Sequence, residues 1–135
     1  MLKELRKGTV AALAGLGVPV HDSKVTPETL KTLPCVMVYS ESANGDNRAM
    51  LGLGAVQNST IQLDVLTAMT AATYADTLDD LIETVIVTLF NDTTYQALWE
   101  HIESYQIQYD YQNSAQQPLA FATITISGVT FRNDQ

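Results

Sequence analysis

The stretch from Ser104 to Phe131 leaves a folding chain little choice. "SYQIQYDYQ" sets Tyr105, Ile107, Tyr109 and Tyr111 at alternate positions, with Ser104, Gln106, Gln108 and Asp110 between them. "LAFATITISGVTF" repeats the pattern, with Ala120, Ala122, Ile124 and Ile126 alternating with Thr123, Thr125 and Ser127. Successive side chains of a strand point to opposite faces, so a period of two predicts strands with one apolar and one polar face. "NSAQQP" between them is turn-like, and the two runs should pair as an antiparallel hairpin. A hairpin is marginal by itself, and its apolar face must be buried by another layer.

Helices are the expected cover. In "AATYADTLDDLIETVIVTLFND", Leu78, Leu81, Ile82, Val85, Leu89 and Phe90 follow the i, i+3, i+4, i+7 rule. Thr73 is a candidate N-cap, and Asp76, Asp79 and Asp80 suit the positive end of the helix dipole. A second helix is predicted over Leu2–Ala14, with Leu2, Leu5, Ala12, Leu13 and Leu16 on one face and Gly15, Gly17 and Pro19 as stop signals. Its basic start and apolar run look like a leader peptide. Glu4 interrupts that start and no small-x-small site follows, so a helix is the preferred reading.

Smaller elements fill the remainder. Val18–His21 reads as a short strand, and Thr26 as an N-cap, with Pro27 and Thr29–Leu33 forming about one helical turn. "CVMVYS" is an interior strand. In "STIQLDVLTAM", Ile61, Leu63 and Val65 should face the core and Gln62 and Asp64 the solvent. "TYQALWEHI" suggests a short helix. Between two strands lies "SANGDNRAMLGLGAVQNS", residues 42–59, with no strand or helix pattern of its own and far longer than an ordinary connection. Its first half is polar and its second half apolar. The expected fold is one α+β domain over residues 1–135. It has a mostly antiparallel sheet of four to five strands, two main helices on one face, and a long protruding loop or hairpin arm.

Charge and composition narrow the function. The chain is 46% hydrophobic and 16% charged, which suits a globular domain, and its formal net charge is −8. An acidic chain whose few Lys and Arg are scattered, apart from Lys3, Arg6 and Lys7 near the N-terminus, lacks the clustered basic patch of a nucleic-acid-binding surface. No apolar run is long enough to span a bilayer. Cys35 is the sole cysteine, so no internal disulfide and no Cys-based metal site can form within one chain, and "PCVMVYS" places it as a buried, inert thiol.

The candidate chemistry is thin. His21-Asp22-Ser23 holds the residue types of a hydrolytic triad, but such groups must converge from separate segments. His101 is expected to face solvent at the end of the short helix. Asp76, Asp79, Asp80 and Glu83 lie within two turns of one helix and form the basis of an alternative reading, a small metal-dependent enzyme. A solvated acidic face explains them better. "GLGAVQ" and "GLGVPV" lack the third glycine and the flanking elements of a dinucleotide site. Asn58-Ser59-Thr60 and Asn91-Asp92-Thr93 match the glycosylation pattern by chance. Tyr105, Tyr109 and Tyr111, with Phe121 opposite, read as an aromatic patch suited to core packing or a protein interface. Neither a catalytic site nor a cofactor is expected.

The order of elements resembles a known family. "LRKGTVAALA", "VPVHDSKVTPETLKTLPCVMVYSE", a prolonged loop, "STIQLDVLT", "DTLDDLIETVIVTLF" and "YQIQYDYQNSAQQPLAFATITISGVTF" follow one another as in the tail terminator proteins of long-tailed bacteriophages, the lambda minor tail protein U type. The resemblance covers almost the whole chain. Its local phrases are "LP" leading into "VYSE", then "IQLDV", and "YDYQ" before the last strand.

The resemblance implies a non-enzymatic virion protein at the head-proximal end of the tail, assembled in the bacterial cytoplasm. Its copies would form a ring, a hexamer in this family, that caps the tail tube, stops its growth and offers a surface to the head-completion or connector protein. DNA would pass through without specific binding, and no membrane is involved. The strongly acidic ring would repel DNA and let it slide. A ring needs two different complementary surfaces per subunit. The expected contact residues are Asp46, Arg48, Met50, Leu51 and Leu53 of the arm, together with Tyr109 and Tyr111. The alternative within virion assembly is a head-tail connector or head-completion protein. A dimeric small-ligand module with a pocket lined by tyrosines is a further alternative.

Overall fold

A computed structural model describes residues 2–22, 33–45, 56–69, 73–112 and 118–131. In chain order these form α1 (Leu2–Ala12), β1 (Val20–His21), β2 (Cys35–Gly45), β3 (Val56–Ala68), α2 (Tyr74–Phe90), α3 (Thr93–Gln96), β4 (Trp99–Gln112) and β5 (Leu119–Phe131). The fold is α+β. One five-stranded sheet runs in the order β1-β2-β3-β5-β4, and all its pairs are antiparallel except β1 with β2.

The hairpin dominates, as the alternation predicts. Ile107, Ile124 and Leu63 lie side by side across β4, β5 and β3, and Tyr109, Ala122 and Val65 form the next row. This face carries the main core. Leu63, Ile124, Ala122, Val36 and Val38 pack with Leu5 and Leu13 of the N-terminal segment, and with Leu78, Ile82, Val85 and Leu89 of α2. Both main helices therefore cover the same face. α1 lies over β2 and β3, and α2 over β3 and β5. Arg6 Nε donates to Asp22 Oδ1 at 2.8 Å, and Lys7 bonds the other carboxylate oxygen, tying α1 to the end of β1. Lys7 first and Arg6 second hold the Asp22 carboxyl below its ordinary range. Its contribution to stability is present above that range and fades as pH falls through the lowered pKa.

Several expectations change. α1 ends at Ala12, and the first strand is only Val20–His21. Thr73 precedes α2 but makes no side-chain capping bond. The short helix is one turn, capped by Asp92, whose Oδ1 accepts from Tyr95 N at 2.9 Å; Trp99–Ile102 belong to β4. The cause is visible in β4. Tyr95, Leu98, Trp99 and Ile102 fall at i, i+3, i+4 and i+7, a helical spacing, and all four reach the core. Irregularities between Trp99 and His101 and between Ile102 and Ser104 turn the strand's side chains inward at that spacing.

Asp64, expected to face solvent, is buried. Tyr39 Oη and Thr123 Oγ1 donate to its Oδ1 at 3.0 and 2.8 Å, which compensates the loss of water. Around it the second face carries its own small cluster of Cys35, Met37, Leu66 and Leu119, against which Leu33 and Phe121 pack. The stretch expected to be an arm is in part regular strand. Ser42, Ala43, Asn44 and Gly45 pair with Thr60, Ser59, Asn58 and Gln57, so both flanks of the 42–59 stretch continue the β2–β3 hairpin. Backbone pairing needs no apolar alternation, which is why composition missed it. Residues 46–55 lie outside the described residues, as do residues 26–32, which hold nearly all of the expected helical turn.

Candidate subunit interface

Among the described residues the sheet has two outer strands, the two-residue β1 and the long β4. β4 is 14 residues long and contains no Pro, Lys or Arg. Glu100, His101, Glu103–Gln106 and Gln108–Tyr111 are all exposed. Natural sheets usually blunt such an edge with short strands, prolines or lysines. β4 instead carries Glu100, Glu103 and Asp110 and two irregularities near its start, so its regular part from Ser104 onward is open to pairing with a chain of unlike charge.

The tyrosines of β4 fix its relation to α2. Tyr105, Tyr109 and Tyr111 are 49%, 48% and 53% exposed, so each shares itself between the protein and solvent. The Tyr105 ring meets Phe90 at a centroid distance of 5.5 Å with the planes tilted by 50°. Tyr109 Oη donates to Asp79 Oδ1 at 2.8 Å. The Asp79 hydrogen bond comes first among the causes that push the Tyr109 phenol up. Tyr109, Tyr111, Tyr74 and Leu78 line a 200 Å³ hollow between strand and helix. An open 520 Å³ cleft lies at the start of β4, between Phe90, Gln96, Trp99 and Tyr105.

The expected site residues divide accordingly. Tyr109 and Tyr111 stand together on the α2 side of the exposed edge. Phe121 does not join them: it pairs with Asp110 and lies on the opposite face, against Cys35 and Leu66. Asp46, Arg48, Met50, Leu51 and Leu53 lie outside the described residues. Asp22 is engaged with Arg6 and Lys7, and Ser23 lies outside the described residues. Asp76, Asp79, Asp80 and Glu83 are exposed along α2, where Asp79 accepts from Tyr109, and among the described residues no three His, Cys, Asp or Glu side chains converge as a metal site would require.

Cys35 is fully buried, and burial pushes its thiol up to about 11. It should resist a thiol-directed reagent at pH 8 in the native protein and react fully in denaturant. Rapid native labelling would contradict its placement.

Sequence reasoning missed one organised feature. Residues 1–48 hold six Lys and Arg against five Asp and Glu, while residues 49–131 hold none against nine. Seven of those nine, Asp76, Asp79, Asp80, Glu83, Glu100, Glu103 and Asp110, are exposed on α2 and β4. The signal was available as the basic-free run between Arg48 and Arg132, but only the fold shows that α2 and β4 adjoin.

No protein-family model matches the chain, and no curated protein matches it. Among the described residues no helix is long and apolar enough to cross a membrane.

Proposed function

We propose that this chain is a tail terminator of a long-tailed bacteriophage. Copies of it form a ring on the end of the tail tube, stop tube growth and present the surface to which the head-completion protein binds. The ring sits at the head-proximal end of the virion tail, carries no catalytic activity and lets DNA pass through an acidic channel.

The observation that best supports this reading is β4, a 14-residue outer strand with no Pro or Lys along its edge, whose Glu100, Glu103 and Asp110 oppose pairing with a second β4 but not with a different, less acidic edge. A structural ring protein has a use for such an edge. The element order that resembles the terminator family adds to it. The β2–β3 hairpin leads into residues 46–55, the central part of the arm, and there Arg48, Met50, Leu51 and Leu53 supply the Arg, Met and apolar types that concentrate at interface cores.

A binding assay separates this role from that of a head connector. Mixed with uncapped tubes and with tailless heads, the protein should sediment with the tubes. Binding to heads alone would assign it to the connector instead. Replacing Met50 and Leu53 with Asp should abolish tube capping without changing the melting temperature. Unchanged capping would remove the arm from the interface.

A further inference from the structure

We infer that the α2–β4 side of this chain and its α1 side are the two halves of one head-to-tail contact between copies of the chain. The inference rests on the ring reading and identifies the surfaces the ring uses.

α2 and β4 expose seven carboxylates and contain no Lys or Arg. Charges of one sign so placed repel each other in the free chain and attract a cationic surface. The chain carries such a surface itself. Lys3 and Lys7 are exposed on α1, and Arg6 beside them is partly exposed. Glu4 and Asp22 lie near these three cations and reduce, without cancelling, the local positive charge.

Geometry places the two surfaces apart. α1 lies over β2 and β3 with α3 and α2 beside it, and its Arg6 and Lys7 reach Asp22 at the end of β1, while α2 lies over β3 and β5 and reaches β4 through Tyr109 and Phe90. β4 and β2 are separated by β5 and β3, about 14 Å at the usual strand spacing. Two unlike surfaces on opposite halves of one subunit cannot meet within a chain. They meet between chains, and a contact of that kind repeats and closes into a ring when the rotation allows. A two-fold contact of β4 with β4 would instead bring Glu100, Glu103 and Asp110 of both copies together, which like-charge repulsion opposes. The β4 backbone edge, next to the acidic row, gives the arriving subunit hydrogen-bonding groups that charge alone lacks.

Charge reversal tests this in the full-length protein. The acidic side is reversed by Asp80→Lys, Glu83→Lys and Glu103→Lys, and the α1 side by Lys3→Glu and Lys7→Glu. Self-association is followed by sedimentation in solution and by imaging on tail tubes, with circular dichroism melting as the folding control. Each one-sided variant should associate at least about tenfold more weakly than the parent at low salt, and the chain reversed on both sides should recover most of that loss. Added NaCl should weaken the parent's association as well.

Association unchanged by either one-sided reversal overturns the inference and leaves the ring reading standing. So does failure of the doubly reversed chain to recover. Loss from the acidic-side reversal alone, with none from the α1 reversal, assigns the acidic side to a different basic protein and also overturns it. If the parent neither self-associates nor binds tubes, the ring reading itself fails, and the inference falls with it.

Discussion

Replacing Gly128 with alanine should lower folding stability by about 3 kcal/mol, the upper end of what overpacking a tight site costs. Gly128 sits in the last third of β5, between Ser59 of β3 and Ile102 of β4. A Cβ added there would overlap the His101 carbonyl oxygen, and it would lie 2.9 Å from Ile102 Cα and 3.0 Å from the Trp99 ring. Two of these three are backbone atoms, which cannot rotate away as the end of a side chain can. Relief requires the start of β4 to shift, in the region where its two irregularities aim Trp99 and Ile102 into the core. Urea unfolding with an unchanged m-value should show the loss as a lower midpoint. A neutral result would mean that β4 does not approach β5 as closely as described.

Truncating Ile124 to alanine should cost about 4 kcal/mol, within the range for large-to-small changes in a rigid core. Ile124 is fully buried and lies in register between Leu63 and Ile107 at the centre of the sheet. Strands hold it on both sides and helices cover it, so the cavity has little means of collapsing. Its neighbour Thr125 makes a clean control. It lies on the other face, where Gln62 Nε2 reaches its hydroxyl at 3.4 Å, and Thr125→Ala should change stability by less than about 0.5 kcal/mol. Similar losses at the two sites would contradict a core confined mainly to the helix side.

Both sites show what the sequence could reveal. The alternation of Ala122, Ile124 and Ile126 with Thr123, Thr125 and Ser127 fixes strand and facing together, because a strand has a single period. The spacing of Leu78, Ile82, Val85 and Leu89 does the same for α2, where all four are buried. Trp99 and Ile102 misled because a bulged strand can aim side chains three residues apart at the same core. Asp64 misled because its partners, Tyr39 and Thr123, come from two other strands and leave no local trace. The candidate interface was half legible. Tyr109 and Tyr111 follow from the alternation, but that β4 would be the outer strand beside an acidic α2 follows only from the sheet order.

The most direct test of the terminator reading is electron microscopy of tail tubes polymerised with and without this protein. Tubes grown in its presence should end in a ring-shaped cap at one end, stop at a uniform length and accept heads. Tubes that grow past that length, uncapped, at every protein concentration would contradict the account.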